Sequence, residues 1–205
     1  MFYKVELYPV ASFSAFHHVM GIESSSFSML FRFVDLLCIS WQYYPKSDAI
    51  PEHLLKVISI FKQNGEEVDS SKHRLNSNEV LLVLKKGLVD IGFKVEKGKK
   101  VEDRIKVPVL FGRNGELEKS FLVDGFQEET GTVLEVEAGR AVTNYQFLKD
   151  LFEACMMHNV TYSVIAVRKS YRRQADFETV LTHFDTLYAS GRLVLPLKGI
   201  LIIGY

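Results

Sequence analysis

Three acidic residues, Asp124, Glu135 and Glu137, stand in one short window whose neighbours are largely apolar. The flanking stretches read as strands. Side chains alternate across a strand, so Glu135 and Glu137 share a face, with Cα atoms roughly 6–7 Å apart. Pairing of residues 121–126 with 132–138 as a hairpin brings Asp124 beside them. Three carboxylates on one patch repel one another unless a cation sits among them, and a divalent metal is the usual solution. An all-oxygen donor set suits Mg²⁺, with Mn²⁺ as a substitute. Asp124 and Glu135 are the candidate metal ligands. The backbone carbonyl of Val136, between the two glutamates, is a natural further ligand. Glu137 binds metal, or orients and deprotonates a water. These are the parts that metal-assisted hydrolysis of a phosphodiester requires.

An isolated Glu-x-Glu is ordinarily the solvated face of an edge strand, where charges are common. Here a helix and a further apolar strand follow the window. They place 132–138 near the centre of a sheet, where a charged face is expensive.

Apolar spacing predicts the elements that position this window. Residues 3–8 alternate as a strand, 11–26 form a Ser-rich loop, and 28–44 have helical spacing. Pro51 opens a helix to Gln63, which Asn64 and Gly65 end. Residues 66–74 are polar and read as exposed. Asn76 and Glu79 form the two ends of a capping box on a helix running to about Ile91, with Gly92 as its stop. Residues 93–106 are strand-like but charged, and 106–111 alternate. Arg113-Asn114-Gly115 is a turn signal, and strands are expected at 117–126 and 132–138. A helix at 144–158, a fully covered strand at 161–167, a helix at 176–190 and apolar strands at 193–197 and 199–203 complete the chain. The order implies an α/β fold, a mixed central β-sheet sandwiched by helices. Residues 1–75 are expected to form a mostly helical N-terminal extension packed on a core of residues 76–205.

Two basic clusters flank the acidic window. The first includes Lys99 and Lys100. The second, Arg168, Lys169, Arg172 and Arg173, follows the covered strand and is interleaved with Tyr171. Either alone is ordinarily a solvated loop, but beside an acidic metal site both suit phosphate contact. Arg140 and Asn144 follow the triad and are further candidates for phosphate contact; helix capping is the competing role for Asn144.

The pattern Asp124, ten residues, Glu135-x-Glu137, followed by helix, strand and helix, resembles the PD-(D/E)XK nuclease core. Its last position is usually Lys. A Glu there resembles the BamHI/BglII-type restriction endonucleases, as do residues 134–144 and the ending 195–205. The resemblance covers residues 76–205. It implies a restriction-endonuclease-like core and a Mg²⁺-dependent endonuclease of double-stranded DNA, leaving 5′-phosphate and 3′-hydroxyl ends. It matches Asp124 and Glu135 to the metal-binding acids and Glu137 to the catalytic Lys/Glu position. A further acid on the first core helix corresponds to Glu79 or Asp90, with Glu79 favoured although a cap accounts for it equally. Cutting both strands of a palindrome implies a homodimer. The alternative is a catalytically silent DNA-binding or protein-interaction module of the same fold. A glycosidase built on paired carboxylates would need exposed sugar-stacking aromatics that the chain does not mark.

The 205 residues are 47% hydrophobic, enough for a sizeable core. Lys and Arg number 25 against 25 Asp and Glu, so any polyanion site must be a local patch and not a net charge. Cys38 and Cys155 show no zinc or redox spacing and read as reduced thiols of a cytoplasmic protein. The six histidines have no metal spacing either. The apolar run 27–44 is broken by Arg32 and Asp35, so no membrane span is expected.

Overall fold

The computed structural model describes residues 39–98 and 100–205. The expected strand at 3–8, the loop at 11–26, most of the helix at 28–44, Cys38 and Lys99 lie outside them.

The described chain runs β1 (Ser40–Tyr44), α1 (Glu52–Gln63), α2 (Gly65–Val68), α3 (Ser77–Asp90), β2 (Lys94–Val95), β3 (Ile105–Phe111), β4 (Leu117–Val123), β5 (Gly125–Gln127), β6 (Thr132–Glu137), α4 (Gln146–Met156), β7 (Tyr162–Val167), α5 (Asp176–Ser190) and β8 (Gly199–Gly204). Six strands form a mixed sheet in the order β1-β8-β7-β6-β5-β2, and β3 and β4 form a separate two-stranded sheet. β6, β7 and β8 are parallel, while β1, β5 and β2 join antiparallel. The α/β class and the central place of β6 match the sequence.

Strand alternation sends the central side chains into two cores. Leu134, Val136, Val164, Ala166, Leu201 and Ile203 meet α1 and α3 on one face. Ile165, Val167, Ile200 and Ile202 meet α4 and α5 on the other. Each fully buried Leu or Ile contributes about 1.5–3 kcal/mol. A third cluster joins Val107 and Val123 of the small sheet to Val133 of β6 and to Ala154 and Met157 at the end of α4. The two sheets are therefore fixed to one another beside the acidic window.

Several elements differ from the sequence expectation. Residues 40–44 are a strand, not the end of a helix. Tyr43 and Tyr44 are both buried, on opposite faces, as an edge strand of the main sheet requires. Part of the segment expected to be an extension is thus a strand of the main sheet. Within 93–106 the described residues form the two-residue β2, a short 3-10 turn at 101–103 and the first two residues of β3, not one continuous strand. Residues 193–197 form no strand, and Val194 is 88% exposed. The strand expected at 117–126 is broken at Asp124: β4 belongs to the small sheet and β5 to the main one. No described helix is long and apolar enough to cross a membrane.

Candidate metal and polyanion site

Asp124 stands where the chain passes from one sheet to the other. Gly125 pairs with Leu134, so β5 covers β6 only up to that residue. Beyond it the edge of β6 is open, and the Asp124 side chain fills the gap. Its Oδ2 accepts a hydrogen bond from the Val136 N–H at 2.8 Å. One carboxylate is thereby pinned to the backbone between Glu135 and Glu137. The N–H and C=O of a strand residue point the same way, so the Val136 carbonyl emerges on the edge that carries Asp124.

Glu135 and Glu137 project to the face that α4 covers. That helix brings a fourth acid which the sequence reading did not select. Asp150 is only 4% exposed, on the stripe of α4 that buries Phe147, Leu151 and Ala154. Its Oδ1 accepts from Gln146 Nε2 at 3.1 Å, while its Oδ2 is buried with no hydrogen-bond partner. Asp150 lies within hydrogen-bonding reach of Glu137. An acid on the apolar stripe of an amphipathic helix is a signal that the sequence does carry.

The electrostatics follow from burial and crowding. Burial raises the pKa of Asp124 to about 7; the Val136 N–H opposes the rise, and Glu96 and Asp150 add to it. Glu135 is pushed well above the usual range by burial, then by Asp124, Asp150, Glu137 and Glu153. Burial and the charge of Asp150 carry Glu137 to about 8. Asp150 rises to about 6, mainly through burial, against the pull of Gln146 and Lys149. Glu137 and Asp150 form a coupled pair that holds one proton near neutrality. Lys149, next to Asp150, bonds Glu153 at 3.2 Å. Burial works against its ammonium, but Glu153, Asp150 and Glu135 outweigh that and hold its pKa high. It is the cation that acts on Glu137, and it was not selected from sequence.

Four oxygen-bearing acids crowd one spot, and one of their buried oxygens has no partner. This donor set fits a hard divalent cation and suits neither a soft metal nor an organic cofactor. Among the described residues, no group of three or more His, Cys, Asp or Glu side chains is placed so that it could hold a metal ion.

The other expected site residues divide into several groups. Glu79 is exposed and acts as a helix cap. Its Oε2 accepts from the Asn76 N–H at 2.7 Å, while its own N–H donates to Asn76 Oδ1 at 3.1 Å. Arg168 is turned inward: its guanidinium donates to the Leu75 carbonyl, lies over the Tyr171 ring and acts on the buried Asp176. It therefore braces the loop after β7 and does not line an outer surface. The Lys169 N–H donates to the carbonyl of Tyr205, whose hydroxyl donates to the Glu137 carbonyl. Lys100 is exposed on the β2–β3 loop, and Arg140 and Asn144 are exposed between β6 and α4, where the Asn144 N–H donates to the Arg140 carbonyl.

Arg172 and Arg173 occupy the centre of a tight turn, with Tyr171 and Gln174 exchanging both backbone hydrogen bonds at 2.8–2.9 Å. Both arginines have left-handed φ, +46° and +70°. Such conformations cost about 1–3 kcal/mol each outside glycine. Both side chains are exposed, and Arg172 lies 5.1 Å from the Tyr171 ring centroid. Tyr171 in turn packs on Gly139, two residues past Glu137. A Cβ at Gly139, whose φ is +116°, would lie 2.6 Å from that ring. Glycine at 139 thus lets the basic turn dock beside the end of β6.

Compared with protein-family models, with curated proteins and with solved structures, the chain finds no match.

Proposed function

We propose that the chain is a Mg²⁺-dependent endonuclease that hydrolyses phosphodiester bonds of double-stranded DNA, with a restriction-endonuclease-like core. The observation that carries this is the Asp124 carboxylate fixed to the Val136 amide between Glu135 and Glu137, with Asp150 facing them. Asp124, Glu135 and the Val136 carbonyl would hold the metal. Bound there, the ion would supply charge neutralisation at the scissile phosphate and acidification of a bound water. Glu137 is the proton acceptor, and Asp150, which lies within reach of it, shares the displaced proton. Lys149 offsets the negative charge of that pair. Arg172 and Arg173, set beside Gly139, and Arg140 grip the DNA backbone, as the basic turn's docking on the end of β6 favours. Two-fold action on a duplex makes a homodimer the working assembly.

Purified protein with supercoiled plasmid and saturating Mg²⁺ is expected to nick and linearise the DNA, and EDTA is expected to stop it. A second reading draws on the finding that no three of the described acids are placed to hold a metal ion: a catalytically silent DNA-binding or protein-interaction module. It predicts steeply salt-dependent DNA binding with no cleavage under any divalent ion. Agarose electrophoresis of the same digests separates the two.

A further inference from the structure

The helix α4 carries more apolar surface than the core beneath it uses. Its polar residues, Gln146, Lys149, Asp150 and Glu153, all fall on the side of the acidic site. The rest of its circumference, from Ala154 through Leu151, Leu148 and Phe152 to Met156, is apolar over roughly 200°, about twice the stripe a helix needs to face one core. Phe147, Leu151 and Ala154 are buried. Phe152 is 61% exposed, and Met156 and Tyr145, which precedes the helix, are exposed on the same outer strip. Next to this strip a groove of about 410 Å³ opens between α4 and α5, walled by Leu148, Leu151, Phe184 and Leu187. No Asp, Glu, Lys or Arg lines it. The Thr182 and Thr186 hydroxyls donate to the Glu178 and Thr182 carbonyls of their own helix at 2.9 and 2.8 Å, and His183 Nδ1 donates to the Thr179 carbonyl at 2.9 Å. The groove therefore presents mainly methyl groups and rings, and a polyanion has nothing to hold there. A surface poor in charge and rich in aromatic residues and Met has the composition of the core of a protein–protein interface.

We infer that this face of α4 and α5 is the two-fold interface of a homodimer, with Phe152 of each copy seated in the α4–α5 groove of the other. Two features favour a second copy over an unrelated partner. The protruding ring and the groove lie side by side on the same helix pair, so a two-fold axis between them satisfies both reciprocally, as an isologous contact requires. Asp150 and the other polar residues of α4 lie on the side away from the strip, so the contact leaves the acidic site uncovered. Each copy need supply only about 600 Å², half of the ~1,200 Å² at which stable interfaces begin. Phe152 and Tyr145, each more than half exposed, provide roughly 200 Å² of it as ring surface. The choice of occupant rests on the two-fold working assembly of the nuclease reading and adds the residues that hold it together.

Sedimentation equilibrium of the full chain across a concentration series tests the interface, with plasmid cleavage measured in parallel. The wild type is expected to dimerise. Phe152→Asp is expected to raise the dimer Kd by about 100-fold, the loss typical of a central aromatic anchor. Phe152→Leu, which keeps an apolar knob, is expected to stay within about 10-fold of the wild type. Met156→Asp, on the same strip, is expected to weaken the dimer in the same direction, so the test does not depend on one variant folding. Leu82→Asp puts the same charge on an exposed apolar site of α3 and is expected to leave the dimer unchanged. A wild type that is monomeric at every concentration and still cuts DNA would overturn the interface alone and leave the groove to a different protein. Equal dissociation in the Phe152→Asp and Leu82→Asp variants, or none in either, would also overturn it. A dimer that the strip variants separate, and that never cuts DNA, would keep the interface and remove the nuclease reading. A monomeric wild type without cleavage would remove both.

Discussion

Glu135→Ala is expected to lower the rate of Mg²⁺-dependent plasmid cleavage by about 10³-fold or more, with the fold intact by circular dichroism. Glu135 lies on the central strand β6, and burial together with Asp124, Asp150, Glu137 and Glu153 pushes it well above its usual range. In a fold without a function for it, such a residue would be a liability. Asp150→Asn makes the same point from the other side of the site. Asp150 reaches Glu137 from α4 and has a buried oxygen with no partner. Its loss is expected to reduce cleavage about 10–100-fold, the usual effect of removing a group that orients a metal-binding or proton-accepting residue. The same substitution is expected to raise the melting temperature of the metal-free protein, because it removes one of two facing acids. Lower activity with higher stability is the signature of a functional site that strains its scaffold. Cleavage kinetics and thermal melts on the same preparations check both. Full cleavage activity in Glu135→Ala would end the site assignment.

The second large effect is in stability against pH. Asp124, Glu137 and Asp150 rise to about 7, 8 and 6 in the folded protein, against about 4 when unfolded. The folded state therefore binds protons more tightly than the unfolded one. Stability from these groups is fully present below about pH 4 and is lost as pH climbs to about 8, the reverse of the common pattern for surface carboxylates. The loss is on the order of a few kcal/mol in total, read as a falling melting temperature of the metal-free protein between pH 5 and pH 8. A divalent ion at 100 times its Kd is expected to restore about 2.7 kcal/mol at pH 8. It should restore far less at pH 5, where the ligands are protonated. A melting temperature that is flat over this range, with or without metal, would show that the four acids do not share one buried site.

Much of the architecture could be read in the chain. The capping box at Asn76 and Glu79, the stop at Gly92, the turn at 113–115, the covered strand β7 and the helix ended by Gly191 depend on local chemistry, and they form where expected. Elements that answer to distant partners were less legible. The apolar groups of 40–44 suit a helix stripe, yet Tyr43 and Tyr44 face two different cores once β8 offers an edge. Asp124 looked like the middle of one long strand. Its break comes from the small sheet's need to pair β4 with β3 while β5 pairs with β6.

The site divides along the same line. Sequence spacing was enough to bring Asp124, Glu135 and Glu137 together. It could not place Arg168, because nothing local marks a guanidinium that will turn inward to the Leu75 carbonyl. It could not show that Arg104 comes to border Asp124 through the fold. Asp150 was legible in principle. It falls three residues from Phe147 and one from Leu151, on a stripe otherwise built from apolar side chains.

The measurement that bears most directly on the central claim is the location of a divalent ion by anomalous diffraction from a Mn²⁺-soaked crystal of the protein. The account predicts a peak at the edge of β6, coordinated by Asp124 and Glu135, with the Val136 carbonyl turned toward it. Full occupancy of that edge by a lysine or arginine side chain paired to those acids, with no ion there, would contradict it.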